Sequence, residues 1–328
     1  MIRGIGLRGA VSINMITMIG IGPLITVPLV VALLHGSLAL AGWIIGAIVA
    51  VCDGLVWAEL ASRYPGSGGT YVYLREAFGR NGWGRLLAFL FNWQFLFSAP
   101  LLLASGYIGF ARYAGYLFPQ ITASELLQHV VAAILGLIVL VLLYRRITAI
   151  VHISLLLAIA AGLTLVIIIV AGLPHVHPSV FVPPAGARLD WGFAGALGAA
   201  LVITLYDYSG YDNAALVGDE IVDPVRTLPR SILLSIGIVA ALYVLLQIAM
   251  LSVVPWHRMA ASGTSQYVAS ATVAAVWGRV PAQAITLLIL VTAFASTYGL
   301  LLGSSRIPYA AALDNAFFPV FARLHGAG

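Results

Sequence analysis

Two short stretches carry the residue types capable of chemistry in an otherwise apolar chain. Ile19-Gly20-Ile21-Gly22-Pro23 places two glycines and a proline within four residues, which weakens a helix and removes an amide donor. Tyr206-Asp207-Tyr208-Ser209-Gly210-Tyr211-Asp212 carries two carboxylates around a glycine. Both stretches fall at similar depth within segments apolar enough to cross a bilayer. Broken backbone at that depth is tolerated only where protein or water satisfies the freed groups. Paired interrupted helices are also the best sequence pointer to a transporter's midplane site. A packing kink explains either break alone, since glycine and proline are common in membrane helices. It explains the acidic pair of breaks less well.

A carboxylate inside a span costs several kcal/mol and marks function by default. Asp207 is therefore a candidate partner for a cation or a proton. Asp212 is a second candidate, although it is also placed to N-cap a helix restarting at Asn213. Asp53, toward the cytoplasmic third of the second span, reads either as a proton carrier or as a buried, hydrogen-bonded carboxyl. Glu59, further in, reads as an inner-gate or interfacial residue. Proton coupling through Asp53, Asp207 and Asp212 is expected over sodium coupling. The sodium alternative draws on Ser296 and Thr297, whose hydroxyls are hard ligands beside the Gly20 carbonyl. The histidines do not cluster, and His175 and His177 read as ordinary loop residues. No Ser–His–Asp or zinc-protease pattern falls inside the membrane, so no catalytic residue, metal or cofactor is expected.

Composition sets the elements that must hold these residues. The chain has 328 residues, 62% hydrophobic and only 8% charged, against about 25% charged in soluble domains. Too little polar surface remains to coat a soluble globule, which excludes a cytosolic enzyme and a secreted disulfide scaffold; Cys52 is the single cysteine. A window of about 20 apolar residues gives eight spans, near 11–34, 37–61, 84–113, 126–144, 148–172, 192–218, 231–254 and 281–303. The net charge of +5 comes entirely from arginine, since no lysine occurs. With the N-terminus in the cytoplasm, twelve arginines, Arg145 and Arg146 among them, fall inside. Four (Arg112, Arg188, Arg258 and Arg279) fall outside. That asymmetry is a topology signal and removes nucleic acid as a partner. Segment 62–83 predicts a short interfacial helix over Val72–Phe78, the proline-rich 173–191 an irregular outer lid, and 255–280 a helix over Tyr267–Trp277.

Four stretches together resemble the amino acid–polyamine–organocation superfamily, close to bacterial members similar to L-type amino acid permeases. They are Ile19–Pro23; Glu59 through Tyr73, with Arg63-Tyr64-Pro65-Gly66-Ser67-Gly68-Gly69-Thr70-Tyr71; Ser209–Arg230, with Glu220, Asp223-Pro224 and Arg226-Thr227-Leu228-Pro229-Arg230; and Ser305–Ala310. The resemblance covers essentially the whole chain. It implies an all-α, LeuT-like inverted-repeat membrane fold, with substrate held between broken spans one and six. It divides the chain into a first five-helix repeat at 1–172, an extracellular loop at 173–191 and a partial second repeat at 192–328. The substrate carboxylate would meet the backbone amides of Gly20, Ile21 and Gly22, with Ile19 leading into the motif. Tyr206 would be the aromatic gate. The carbonyls of Tyr206–Ser209 would receive the ammonium, with Gly210 and Asp212 completing the site.

Three departures qualify this. Ile21 stands where the family often has serine. The stretch Val151–Leu165 has no lysine, only His152, Ser154 and Thr164 among polar residues. Members usually have about twelve spans, so the sequence is expected to be a fragment. The expected function is a secondary active transporter that moves amino acids across the cytoplasmic membrane by alternating access. An amine or polyamine permease is the nearest alternative, favoured by Asp207 and Asp212. A membrane-embedded enzyme and a non-transporting truncated remnant are remote ones.

Overall fold

The computed structural model describes residues 3–80, 82–144, 147–184, 186–187, 189–261 and 265–323. Arg145, Arg146 and Arg188, used above for orientation, lie outside the described residues. Described residues form helices and loops, with one isolated parallel bridge between Ile5 and Ile221.

The first apolar segment is two helices. α1 (Leu7–Met18) ends at the glycine motif, and α2 (Gly22–Leu34) restarts with Pro23 in its first turn, bent by 49° from α1. α3 (Ala39–Arg63) follows, then α4 (Thr70–Ala77), where the interfacial helix is expected. α5 (Trp83–Ala114), α6 (Pro119–Ala123), α7 (Glu125–Leu143) and α8 (Ile147–Gly172) complete the first half. Among the described residues of 173–190, short 3-10 turns at Leu173–His175 and Pro178–Val180 interrupt irregular chain.

α9 (Trp191–Tyr208) starts where Asp190 accepts a bond from the Phe193 amide at 3.0 Å, and stops at the second glycine motif. α10 (Asn213–Leu216) is a single turn. α11 (Pro224–Val253), α12 (Trp256–Ala260), α13 (Val268–Trp277), α14 (Arg279–Ser304) and α15 (Arg306–Leu313) follow.

The sequence reading expects eight spans. Among the described residues, six helices are long and apolar enough to cross a membrane, and the bent pair α1/α2 makes up to seven. The difference lies at 192–218. The continuous helix there is 18 residues long, or about 27 Å at 1.5 Å per residue, just short of the ~30 Å hydrocarbon core. At 18 residues the helix still reaches the lower end of the spanning range; its polar last turn, with Tyr206, Asp207 and Tyr208, is what leaves it outside the apolar set.

The outward faces are apolar, with Ile48, Leu101 and Leu137 all largely exposed, as lipid contact requires. The interior is tied by an aromatic cluster behind the breaks. Trp43, Tyr208 and Tyr243 are fully buried with ring centroids 5.3–6.0 Å apart. Trp43 Nε1 donates to Gln247 Oε1 at 2.9 Å, and the Tyr208 hydroxyl donates to the Trp43 carbonyl at 3.1 Å. This cluster packs the end of α9 against α3 and α11, which fixes where Asp207 points.

Candidate functional site

Each break needs a local cause. At the first, the Ile19 amide donates to Met15 and the Gly20 amide to Met18, after which the ladder ends and Ile21 leads into α2. Proline at the second position of α2 loses nothing, because first-turn amides have no intrahelical acceptor. At the second break, Gly210 adopts φ 106° and its Cα faces Thr17, where an added β-carbon would stand 2.7 Å from the methyl group. Both the left-handed backbone and the close approach to α1 require glycine.

The two breaks face each other across a cavity of about 400 Å³. From the first break, Gly20, Ile21 and Gly22 line it; from the second, Tyr206, Asp207, Ser209, Gly210 and Asp212 do. Ser296 and Thr297 of α14 close one wall, and Phe91, Phe95 and Ser105 of α5 another. Two expected site residues lie elsewhere. Ile19 is fully buried in the core behind the wall. Asp53 is exposed on α3, outside the cavity lining. This corrects the buried-carboxyl reading of Asp53, whose carboxylate nonetheless accepts from the Tyr211 phenol and, at 3.1 Å, from the Trp57 indole.

Asp207 is the penultimate residue of α9 and is 3% exposed. Its Oδ2 accepts the hydroxyl of Thr26, one turn into α2, whereas Oδ1 has no partner. Oδ1 lies against Gly22, in the space a β-carbon there would fill. Buried polar groups are normally satisfied, so the lone carboxylate oxygen beside the cavity is free to accept a further donor. Asp212 stands at the N-cap of α10, but its side chain makes no capping bond. A one-turn helix offers few amides, so the capping role expected for Asp212 is not realised.

Tyr206 spans the cavity, its hydroxyl 3.2 Å from Ser105 Oγ. Ser209 Oγ donates to the Tyr206 carbonyl at 2.6 Å, occupying one of the carbonyls freed at the end of α9. Ser296 Oγ lies 2.9 Å from the β-carbon position of Gly20 and donates to its own helix at Ala293, 3.0 Å away. Thr297 Oγ1 does likewise toward Phe294 at 3.0 Å. Both hydroxyl oxygens keep lone pairs for an ion.

Sequence reasoning missed the residues that join the breaks. The Tyr243 hydroxyl donates to the Met18 carbonyl at 2.7 Å and reaches the Asp207 carbonyl at 3.4 Å. Asn213 Nδ2 donates to Thr17 Oγ1 at 2.8 Å and to the Gly299 carbonyl at 3.0 Å. Asn14 Oδ1 accepts the Ala214 amide at 2.7 Å. The available signal was an asparagine in an apolar helix, which must find partners; Tyr243 and Thr26 gave none.

The profile of the amino acid permease family matches residues 5–327. An uncharacterised transporter of Mycobacterium tuberculosis is 31% identical over 324 residues, covering 95% of this chain and 66% of its own length. The serine/threonine exchanger SteT of Bacillus subtilis is 28% identical, covering 94% of this chain and 68% of its own. The human large neutral amino acids transporter small subunit 2 is 28% identical, covering 88% and 54%. The chain thus spans about two thirds or less of the length of these relatives. With its apolar spans and a match from end to end, this multi-pass membrane protein belongs to the amino acid permease family of the amino acid–polyamine–organocation superfamily.

Proposed function

We propose that this chain forms the substrate-holding part of a secondary active transporter that moves amino acids across the cytoplasmic membrane by alternating access. The observation that carries the reading is the cavity itself, bounded by two interrupted helices whose freed backbone groups and one unpartnered buried carboxylate face a common space. The α2 end presents amides and favours an anion; the α9 end presents carbonyls and favours a cation. A solute bearing an ammonium group matches the second pole. The relatives named for serine, threonine and large neutral amino acids support amino acids as the substrate class.

The arrangement fits the inverted-repeat division at 172 and 192, an N-terminus on the cytoplasmic side, and substrate release through small rotations about the breaks. Coupling to a proton is the preferred reading, with Asp53, Asp207 and Asp212 as carriers. Sodium at Ser296 and Thr297 beside Gly20 is the alternative. A second substrate reading, an amine or polyamine permease, is favoured by one feature of the lining. Asp207 and Asp212 contribute two carboxylates, and no described lining residue is cationic.

Reconstitution of the chain in proteoliposomes tests the reading. Uptake of labelled amino acids or amines should rise above protein-free vesicles and respond to an imposed pH gradient. Equal flux in loaded and protein-free vesicles, with the chain demonstrably folded, would refute it.

A further inference from the structure

Three histidines scattered in the sequence converge at the end of α2 remote from the breaks. His35 ends α2, His177 belongs to the loop after α8, and His257 lies in α12. Trp256 joins them. Its ring is 5.6 Å from that of His35 and stacks on that of His257 at 3.5 Å. Gly36 permits this joint: it adopts φ 61°, and a β-carbon there would stand 3.2 Å from the Trp256 ring and 3.3 Å from Pro184. A cavity of about 250 Å³, separate from the one between the breaks, opens beside Trp256. His177 and His257 both line it, together with Ser37 and Ser179.

These wall groups are the kind that hold a metal ion. His177 Nδ1 lies 2.6 Å from Ser179 Oγ. With Nδ1–H donating to Ser179, Nε2 keeps its lone pair, and ligating histidines are commonly oriented in this way through their other nitrogen. Stacking on Trp256 holds the His257 ring by its face, so the nitrogens at its edge remain available as ligands. Ser37 Oγ, on the same wall, is buried without a hydrogen-bond partner. No arginine lines the cavity, so no fixed cation opposes a second one.

We propose that His177 and His257 form a binding site for a first-row transition-metal ion of the Zn²⁺ type, on the face read above as extracellular. Imidazole suits such ions, whereas Mg²⁺ and Ca²⁺ demand oxygen ligands. Among the described residues, no three His, Cys, Asp or Glu side chains gather into a metal cluster. The site is therefore an open one, completed by the Ser37 hydroxyl and water, unlike the closed four-ligand sites of structural zinc. A bound ion ties the loop to α12, and α12 packs on α2. It thereby restrains the helix that carries Gly22 and Thr26 at its other end. The site stands independently of the transporter reading.

Zinc titrated into the purified, tag-free chain in lipid nanodiscs tests this by calorimetry in a chelator-free buffer. The wild type should bind one Zn²⁺ per chain and give no binding heat with Mg²⁺. His177→Ala and His257→Ala should each weaken zinc by about a hundredfold or more, and Ser179→Ala, which loses only the orienting bond, by about tenfold. His175→Ala, on the same loop but outside the cavity lining, should leave the affinity unchanged. Zinc should raise the unfolding midpoint of the wild type but of neither His177→Ala nor His257→Ala. It should also shield both imidazoles of the wild type from diethyl pyrocarbonate, read by mass spectrometry, a measurement that needs no variant to fold. A folded wild type that binds no zinc, an affinity unmoved in either histidine variant, or protection of one imidazole alone overturns the site. None of these results bears on the transporter reading.

Discussion

The hydroxyl of Tyr243 lies 2.7 Å from the carbonyl of Met18, the last residue of α1, and reaches the Asp207 carbonyl near the end of α9 at 3.4 Å. One phenol on α11 thus serves the open ends of both interrupted helices. Two helix C-termini left in apolar surroundings would leave carbonyls with no donor to accept from. Tyr243→Phe keeps the ring packing against Trp43 and Tyr208 but strands at least one carbonyl. It should lower stability by about 1–3 kcal/mol, read as the shift in thermal unfolding midpoint in detergent. Substrate affinity should fall with it, because the two breaks lose their common tie.

Gly22→Ala should act on the site more than on the fold. The α2 backbone at this position accepts alanine, but its β-carbon would collide with Asp207 Oδ1. The carboxylate must then leave the helix head. Binding should change by about tenfold or more while the unfolding midpoint moves little. Combining Gly22→Ala with Asp207→Ala should give less than the sum of the single effects, since the second change removes what the first displaces. Additive effects in this cycle would mean that the two residues do not touch.

Much of this arrangement was readable from residue type. Two glycines and a proline within four residues weaken a helix, and a glycine between two carboxylates does so where polar groups also collect. The breaks at 19–23 and 209–212 thus follow from the clustering at those positions. The long apolar runs likewise set six spans and the bent seventh. The count of apolar helices differs from the expected eight at segment 192–218, which reads as one interrupted crossing and whose helix stops at Tyr208 with a polar last turn. Thr26 and Tyr243 were illegible for a different reason. A threonine or tyrosine at helical spacing reads as ordinary packing, and only the crossing of α2, α9 and α11 turns their hydroxyls toward the breaks. Asp53 shows the converse error, since a carboxylate in an apolar run reads as buried until the helix face it occupies is known.

A buried ion pair closes the end of the bundle near the isolated bridge. Arg306 donates to Glu220 at 2.9 Å, with side chains 23% and 5% exposed. The Glu220 carbonyl also accepts the amides of Gly4 and Ile5, each at 3.0 Å. Removing one charge leaves the other buried and unpaired, at a cost of about 3 kcal/mol. Arg306→Gln should therefore destabilise strongly, and Glu220→Gln with Arg306→Gln together should recover part of the loss. Thermal unfolding of the two singles and the double gives the coupling directly.

Glu76 on the short helix α4 gives an acid-dependent contribution. Arg80 and Arg75 hydrogen-bond its carboxylate, holding it below the usual glutamate range against a partial opposing effect of burial. A carboxyl depressed in the folded state stabilises fully above its unfolded value of about 4.3, and that contribution fades as pH falls toward the lower folded value. The wild type should therefore lose more stability than Glu76→Gln between neutral pH and that acidic range. Because Arg80 is largely in solvent, the effect should be small and screened by salt. Unfolding midpoints measured against pH for both forms would show it, and parallel curves would exclude it.

Asp53 and Tyr211 separate a proton path from a tether. Tyr211 sits in the second break, 8% exposed, and its phenol donates to the Asp53 carboxylate outside the cavity, with the Trp57 indole as second donor at 3.1 Å. The contact links the break to α3, so a change of charge at Asp53 would be felt at the second break. Asp53→Asn keeps an oxygen to accept the phenol but can no longer take up a proton. If Asp53 carries the coupling proton, this variant should exchange substrate at near the wild-type rate, within about threefold, yet lose uptake driven by a pH gradient. Tyr211→Phe, which removes the contact and leaves the carboxylate, should slow exchange and driven uptake together. Both fluxes can be measured in the same proteoliposomes, with substrate loaded inside for exchange and a gradient imposed for uptake. Driven uptake that survives in Asp53→Asn would leave Asp53 as a tether and move the proton to Asp207 or Asp212 at the cavity wall.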